Sequence, residues 1–189
     1  FGVVAFVFVT LLKWQLLTAI PTAEFIPMAL IMMPLMSRWS LVLSIRSYPY
    51  ARKEGMGAAF ANLAPKHVIT YNTISTFFMP IVILIIGTIL YTLLYGAYSI
   101  FSVADVGYVV GLGVLVYATL GIFQINIVSM IITYIINRLL NRYIVKALGG
   151  TTGDTYGFVV EVTEVLLILV YSIILSILSA TVVNNPTMF

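Results

Sequence analysis

Three of the chain's six acidic residues lie within one short segment of the sequence. Asp154, Glu161 and Glu164 precede an apolar stretch that contains no further charged residue. A carboxylate at the centre of a bilayer costs roughly 2.5–3.5 kcal/mol on insertion scales, so these side chains need either a function or a charged partner. Because carboxylate oxygens are preferred ligands of hard cations such as Mg²⁺, the segment predicts a metal or substrate site.

The spacing of these residues places two of the three carboxylates on one face of a helix. In a helix that opens at Gly153 and Asp154, Asp154 is the expected N-cap. Glu161 then follows about 20° away and about 10 Å deeper, and Glu164 points about 60° from Glu161. Gly157 lies between Asp154 and Glu161 and leaves this face open. Two interpretations follow: a hard-metal site, or ion pairs between the glutamates and Lys or Arg side chains of neighbouring helices.

A second set of candidate residues is basic. Arg52 and Lys53 precede the sequence Gly55-Met-Gly57. Together they could present a guanidinium, an ammonium and backbone N–H groups to a phosphate. Arg46 lies in the same loop, and Arg38 lies near the end of the preceding apolar span. Cations beside carboxylates are the arrangement that phosphoryl transfer requires. The alternative interpretation is that these cations set the topology and contact lipid phosphates.

The composition is that of an integral membrane protein. The chain of 189 residues is 62% hydrophobic and only 8% charged, with a mean hydropathy of +1.14. A water-soluble domain carries about 25% charged residues. There is no cysteine, and His67 is the only histidine, which excludes disulfides, thiolate metal sites and multi-histidine zinc sites within this chain. Oxygen ligation of a metal such as Mg²⁺ remains.

Five apolar segments are long enough to cross a bilayer as helices, which requires about 20 residues each. We therefore predict an all-α, polytopic helical bundle in which residues 1–189 form a single transmembrane domain. The predicted spans are Phe1–Ala19, Glu24–Ser44, Phe77–Tyr98, Val106 to about Arg138, and Asp154 or Thr155 to about Val183.

Two basic loops set the predicted orientation. Residues 45–67 and 137–154 carry most of the Lys and Arg, whereas the opposite connections contain Glu24 and Asp105 but no Lys or Arg. By the positive-inside rule both basic loops are cytoplasmic. We therefore expect a protein integral to the cytoplasmic (inner) membrane whose active site faces the cytoplasm. Lys13, toward the far end of the first span, is expected to snorkel to the opposite face.

Three sequence blocks resemble the cobalamin synthase family, also called adenosylcobinamide-GDP ribazoletransferase. They are Arg38-Trp39, residues 48–57 and residues 149–164, and the last is the most distinctive. The resemblance implies a Mg²⁺-dependent membrane enzyme that joins adenosylcobinamide-GDP to α-ribazole or its 5′-phosphate. The products would be adenosylcobalamin or its phosphate, and GMP. The implied partners are the nucleotide-activated corrinoid, the ribazole and the lipid bilayer, with no nucleic acid; a homo-oligomer is left open.

The resemblance also implies roles for individual residues. Asp154, Glu161 and Glu164 would bind metal or activate the attacking hydroxyl, with Asp154 and Glu161 as the metal ligands. The residues that would bind phosphate or substrate are Arg38, Arg46, Arg52, Lys53, Gly55, Gly57, Thr151, Thr152 and Gly153. Members of this family have an N-terminal acidic segment that contributes to the metal site. Because this chain begins after that segment, we expect it to be the C-terminal major part of a longer protein.

A transport or ion-conducting module is the alternative function, with Glu161 and Glu164 as cation or proton sites. The depth of the acidic residues distinguishes the two functions. Charge near mid-membrane favours a conduit, whereas charge near the cytoplasmic end favours an enzyme with cytosolic substrates. Asp154 marks the cytoplasmic end of its helix, which favours the enzyme.

Overall fold

Six helices make up the part of the chain that the computed structural model describes, which is residues 2–21, 25–52, 54, 56–99 and 106–184. For residues 56, 91–92, 94–99, 106–120, 122 and 178–184 only the helical backbone is described. The helices are α1 (Gly2–Thr18), α2 (Ile26–Ser47), α3 (Met56–Leu63), α4 (Val68–Ser99), α5 (Val106–Leu148) and α6 (Gly153–Asn184). The predicted all-α class is confirmed.

Four helices contain stretches that are long and apolar enough to cross a membrane. These stretches are Ile26–Ser47, Val68–Leu90, Phe123–Leu148 and Gly153–Ile177. The helix α1 is also apolar but has only 17 residues, a length of about 25 Å. The first predicted span, Phe1–Ala19, is therefore a shorter helix than the other four. The chain therefore has the architecture of a polytopic helical membrane protein.

The structure corrects the predicted boundaries at two places. Residues 137–148, which the topology argument counted with a basic loop, are helical, because α5 continues to Leu148 and ends where a basic helix was expected to end, at Gly149-Gly150. Arg138, Arg142 and Lys146 recur every fourth residue and are all exposed, so they form one polar face of a continuous helix. In the other basic loop, the short helix α3 was not predicted, and α4 begins before the predicted Phe77.

The helices α2 and α6 form the centre of the bundle. α6 packs against α1, α2 and α5, while α2 also packs against α4 and α5. Their shared apolar core contains Met32, Met36, Leu167 and Tyr171. In contrast, α1 and α4 leave large apolar side chains such as Phe6 exposed, as expected of surfaces that face lipid.

A seam of polar side chains runs between α2, α5 and α6. The Asn137 amide nitrogen lies 2.8 Å from the Ser40 carbonyl oxygen and 2.7 Å from the Ser44 hydroxyl oxygen. The Asn141 amide donates to the same Ser44 hydroxyl at 2.9 Å, and the hydroxyls of Ser40 and Thr163 are 3.4 Å apart. All five residues are buried. Small polar residues let helices approach closely in a membrane and hydrogen-bond directly to each other.

Replacement of Asn137 tests the contribution of this seam to stability. We expect Asn137→Ala to lower the free energy of unfolding by about 1–2 kcal/mol, because the bonds that Asn137 donates to Ser40 and Ser44 are lost inside the bundle. Denaturant titration of the protein in lipid–detergent micelles measures this difference. Arg142→Ala, on the exposed face of the same helix, is the matched control, and an equal loss in both variants would contradict the prediction.

Candidate functional site

The turn from α5 to α6 begins at a glycine with a left-handed backbone. Gly149 has φ +76°, and its N–H donates to the Val145 carbonyl at 2.9 Å, which closes the last turn of α5. The next residue, Gly150, has no room for a side chain. A Cβ there would lie 2.7 Å from the Ala51 nitrogen and 2.8 Å from the Pro49 oxygen. The turn therefore packs directly against the segment that follows α2.

Two threonines cap the start of α6. The Thr155 N–H donates to the Thr152 hydroxyl at 3.3 Å, and the Thr152 N–H donates to the Thr155 hydroxyl at 2.7 Å. This reciprocal pair is a capping box in which Thr155 takes the place of the usual Glu or Gln. The prediction that Asp154 is the N-cap is therefore wrong, since the helix begins at Gly153 and its N-cap is Thr152, two residues earlier. Asp154 is exposed in the first turn, where the helix dipole favours a negative charge.

Backbone hydrogen bonds join two of the three sequence blocks. Tyr50 and Thr151 form a parallel β-bridge, in which the Ala51 N–H donates to the Thr151 carbonyl and the Thr151 N–H donates to the Pro49 carbonyl, both at 2.8 Å. The Thr151 hydroxyl bonds the Pro49 carbonyl and the Tyr156 hydroxyl, each at 3.1 Å. Thus residues about one hundred positions apart form a single structural unit, and the predicted phosphate ligand Thr151 uses its hydroxyl to hold that unit together.

A surface cleft of about 400 Å³ lies on the α2–α3 side of this unit. We call it the arginine cleft, and its lining residues are Ile45, Arg46, Tyr48, Pro49, Tyr50, Ala51, Arg52, Ala58, Ala61 and Asn62. Both arginines are exposed, so their guanidinium groups are available to an anion.

The glycine part of the same block has a packing role. Gly57 is buried, and a Cβ there would lie 2.5 Å from the Tyr50 hydroxyl oxygen. The Tyr50 ring also contacts the Tyr156 ring, with centroids 6.1 Å apart. Gly57 therefore lets α3 approach Tyr50 closely. The predicted ligands Lys53 and Gly55 lie outside the described residues, as do Glu24 and Asp105.

Lys13 bridges the two glutamates of α6. Its ammonium nitrogen lies 2.6 Å from Glu161 Oε2 and 2.5 Å from Glu164 Oε2. The second oxygen of Glu164 accepts a hydrogen bond from the Ser37 hydroxyl at 2.8 Å. These four residues are named the Lys13 cluster below. The expectation that Lys13 snorkels to the opposite face is wrong, because α1 packs against α6 at the depth of the glutamates and supplies their counter-charge.

The three predicted carboxylates thus have different environments. Asp154 is exposed, the Glu161 side chain is 43% exposed, and the Glu164 side chain is only 10% exposed. Along the axis of α6, Glu161 lies about 12 Å and Glu164 about 16 Å beyond Gly153. Within the described part of the chain, no three Asp, Glu or His side chains come close enough to form a metal site by themselves.

The remaining predicted residues are placed individually. Arg38 is exposed on α2 beside the buried Ser37. Gly153 and Gly157 both have open space beside them. Among the described residues, a Cβ at either position would meet no atom within 4 Å beyond its chain neighbours and its own helix backbone. The open face predicted between Asp154 and Glu161 is therefore present.

Sequence reasoning missed the polar residues that hold the helices together. Ser37, Ser40 and Ser44 on α2, and Asn137 and Asn141 on α5, recur at intervals of three or four residues inside apolar helices. That spacing places each set on one helical face and could have indicated a polar contact between helices.

The fold and the site define a polytopic membrane protein with an arginine-lined cleft beside a helix whose first turn carries a carboxylate. A family model described as cobalamin-5-phosphate synthase matches residues 1–109 and 97–172. The chain belongs to this family, and the resemblance seen in the sequence is confirmed.

Several relatives carry the name adenosylcobinamide-GDP ribazoletransferase. The chain is 32% identical over 164 residues to one from Desulforamulus reducens, which covers 86% of this chain and 50% of that protein. A second, from Fusobacterium nucleatum, is 30% identical over 177 residues, with 92% of this chain and 56% of that protein covered. A third, from Desulfitobacterium hafniense, is 27% identical over 173 residues, which covers 89% of this chain and 53% of that protein. The chain thus spans about half the length of these relatives. No solved structure matches it.

Two glycines on either side of the cap provide a matched pair of substitutions. We expect Gly150→Ala to destabilise the protein by about 1–3 kcal/mol, since its Cβ would overlap backbone atoms of Pro49 and Ala51. Gly157→Ala should instead stabilise it by about 0.5–1 kcal/mol, because the site is helical and open. Unfolding titrations of both variants measure the signs, and two shifts of the same sign would contradict the proposed packing of the turn.

Removal of the Lys13 ammonium tests the ion pairs. We expect Lys13→Met to lower the free energy of unfolding by about 2–3 kcal/mol, less than for a fully buried pair because Glu161 is partly exposed. Adding Glu164→Gln to that variant should recover at least half of the loss, since the unpaired buried charge is then removed. Lys146→Met, on an exposed helix face, is the control. If the double variant is no more stable than Lys13→Met, the pairing does not stabilise the bundle.

Proposed function

We propose that this chain carries the activity of an adenosylcobinamide-GDP ribazoletransferase. It would join adenosylcobinamide-GDP to α-ribazole, or to its 5′-phosphate, and release GMP. One observation carries the proposal: the two blocks that resemble the family, residues 48–57 and 149–164, are hydrogen-bonded to each other beside the arginine cleft. The family match and the names of the relatives supply the chemistry.

The reaction is a phosphoryl transfer at a pyrophosphate linkage. A ribose hydroxyl oxygen of the ribazole, other than the 5′ oxygen that carries the phosphate in the phosphorylated substrate, attacks the phosphorus attached to the cobinamide arm, a new P–O bond forms, and the bond to the leaving GMP breaks. The hydroxyl proton passes to a base. Arg46 and Arg52 would bind the phosphate oxygens and neutralise the charge that develops on GMP. Exposed Arg38 and the N–H groups at the start of α6, beside Thr152 and Gly153, are further candidate phosphate contacts.

We also propose that Mg²⁺ is the cofactor. Asp154 is the carboxylate best suited to hold it, because it is exposed and the cap of α6 does not use it. Glu161 would contribute through Oε1, since its Oε2 accepts a hydrogen bond from Lys13. Two protein carboxylates with phosphate and water oxygens are a usual coordination for this ion. When bound, Mg²⁺ would neutralise charge on the pyrophosphate.

Glu164 would act at a distance from the reacting atoms. Both of its oxygens are hydrogen-bonded, one to Ser37 and the other to Lys13. It would therefore fix Lys13, which in turn orients Glu161.

The transport alternative is not favoured, because Lys13 already forms ion pairs with the two glutamates on which that alternative depends.

The proposed location is the cytoplasmic membrane, with the arginine cleft facing the cytoplasm. Arg46 and Arg52 in the cleft, and Arg142 and Lys146 near the end of α5, are exposed cations beside the same turn of the fold. Such an accumulation of Lys and Arg is typical of the cytoplasmic face. Substrates with two phosphates would then enter from water without crossing the bilayer.

The assay for this function is the release of GMP from adenosylcobinamide-GDP by membranes that contain the protein. Release should require both α-ribazole and Mg²⁺. We expect Asp154→Asn to reduce the rate by at least about a hundredfold while leaving stability nearly unchanged.

Thr152→Ala is the contrasting variant of the same turn. Because it removes the cap of α6, it should lower the free energy of unfolding by about 1 kcal/mol.

Lys146→Ala is the activity control, because Lys146 is exposed on α5 and does not line the cleft. Unaltered turnover in Asp154→Asn would refute the role of this carboxylate. Absence of GMP release from the unmodified protein, with both substrates and Mg²⁺ present, would refute the proposed activity of this chain.

A further inference from the structure

The arginine cleft combines three chemical features on one surface. Arg46, at the end of α2, and Arg52, in the segment that follows α2, contribute two exposed guanidinium groups to its lining. α3 contributes Ala58 and Ala61, which share one helical face with Asn62 because residues three and four apart are neighbours on a helix. The lining thus combines two cations, two small alanine side chains and one side-chain amide.

The amide of Asn62 is exposed at the edge of this surface. It carries two N–H donors and a carbonyl acceptor, so it can form paired hydrogen bonds with a group that presents both a donor and an acceptor. Ala58 is buried and Ala61 also lines the cleft, and because alanine side chains are small, they leave space for a planar ring beside the amide.

We propose that the arginine cleft binds the guanosine diphosphate part of the corrinoid substrate. Its phosphates contact Arg46 and Arg52, its base lies on Ala58 and Ala61, and the edge of the guanine hydrogen-bonds to Asn62. This assignment rests on the proposed function, since it identifies which part of which substrate occupies the cleft. A volume of about 400 Å³ is within the range of small-molecule sites.

The chemistry of the two substrates favours guanosine diphosphate over the ribazole. Guanine presents adjacent donor and acceptor groups on its edge, which complement an asparagine amide. The dimethylbenzimidazole base of α-ribazole carries no amino or keto group and would leave Asn62 without a partner, at a cost in affinity. Two guanidinium groups also match two phosphates better than the single phosphate of α-ribazole 5′-phosphate.

Direct binding measurements on the whole chain in lipid nanodiscs test the assignment. Isothermal titration calorimetry with GDP, purine riboside 5′-diphosphate (whose base lacks the keto and amino groups of guanine) and α-ribazole 5′-phosphate gives the three affinities. We expect GDP to bind about tenfold more tightly than purine riboside 5′-diphosphate, a difference that one paired hydrogen bond can supply. Asn62→Ala should abolish this preference while leaving purine riboside 5′-diphosphate unaffected. Arg52→Ala should weaken both diphosphates alike by about tenfold, and Lys146→Ala should change neither.

The contrary outcomes are equally specific. Equal affinities for GDP and purine riboside 5′-diphosphate in the unmodified protein, or a preference for GDP that persists in Asn62→Ala, would overturn the assignment of the base. Tighter binding of α-ribazole 5′-phosphate that depends on Arg52 would assign the cleft to the other substrate. Loss of GDP binding when zwitterionic nanodiscs are replaced by anionic ones would identify a lipid headgroup as the occupant.

The same preparations separate this inference from the proposed activity. If GDP binds with the expected dependence on Asn62 but no GMP is released in the transfer assay, the cleft assignment stands and the activity fails. If GMP is released and GDP binding is indifferent to Asn62, the activity stands and the cleft assignment is wrong.

Discussion

A charged side chain inside a bilayer is stable only where the protein supplies its counter-charge. In this protein α1, α2 and α6 meet at one such place, the Lys13 cluster. Lys13 brings α1 to Glu161 and Glu164, and Ser37 brings α2 to the remaining oxygen of Glu164. Nearer the start of α6, the seam around Asn137 attaches α5 to α2. The position of α2 relative to α6 is therefore set by polar bonds. Because the segment that follows α2 pairs with Thr151, the geometry of the candidate site depends on these same bonds.

The sequence predicted the class of the fold well, because a bilayer leaves so few alternatives. Apolar length and the two basic regions were sufficient to predict a helical bundle. Helix ends were predicted less well. The cations of α5 were counted with a cytoplasmic loop, although Arg138, Arg142 and Lys146 recur with the period of a helix and a basic helix was expected to end at Gly149-Gly150. The cap of α6 was assigned to Asp154, since the sequence alone does not distinguish it from Thr152, which has an equally suitable oxygen.

The candidate site was predicted only in part, for a physical reason. Residues 48–57 and 149–164 were identified as separate blocks, and only tertiary structure reveals that Tyr50 and Thr151 are paired. The partner of the glutamates depends on how α1 is rotated relative to α6, which periodicity within α1 does not specify. Lys13 was consequently expected at a membrane surface. The alternative in which the glutamates form ion pairs was nevertheless stated from the cost of burying a carboxylate, and it describes the Lys13 cluster correctly.

The depth of each carboxylate now limits what it can do in the proposed reaction. A pyrophosphate carries charge that the hydrocarbon layer excludes, so phosphate chemistry belongs near the ends of the helices, where water reaches. Asp154 lies at such an end. Glu161 is deeper but is reachable, because no other helix in the described part of the chain packs against Gly157 on the face between the two residues and because the Glu161 side chain is 43% exposed. Glu164, at 10% exposure, is enclosed by its partners. A substrate that approaches along α6 would therefore meet Asp154 first and Glu161 second, and Glu164 would influence it only through Lys13.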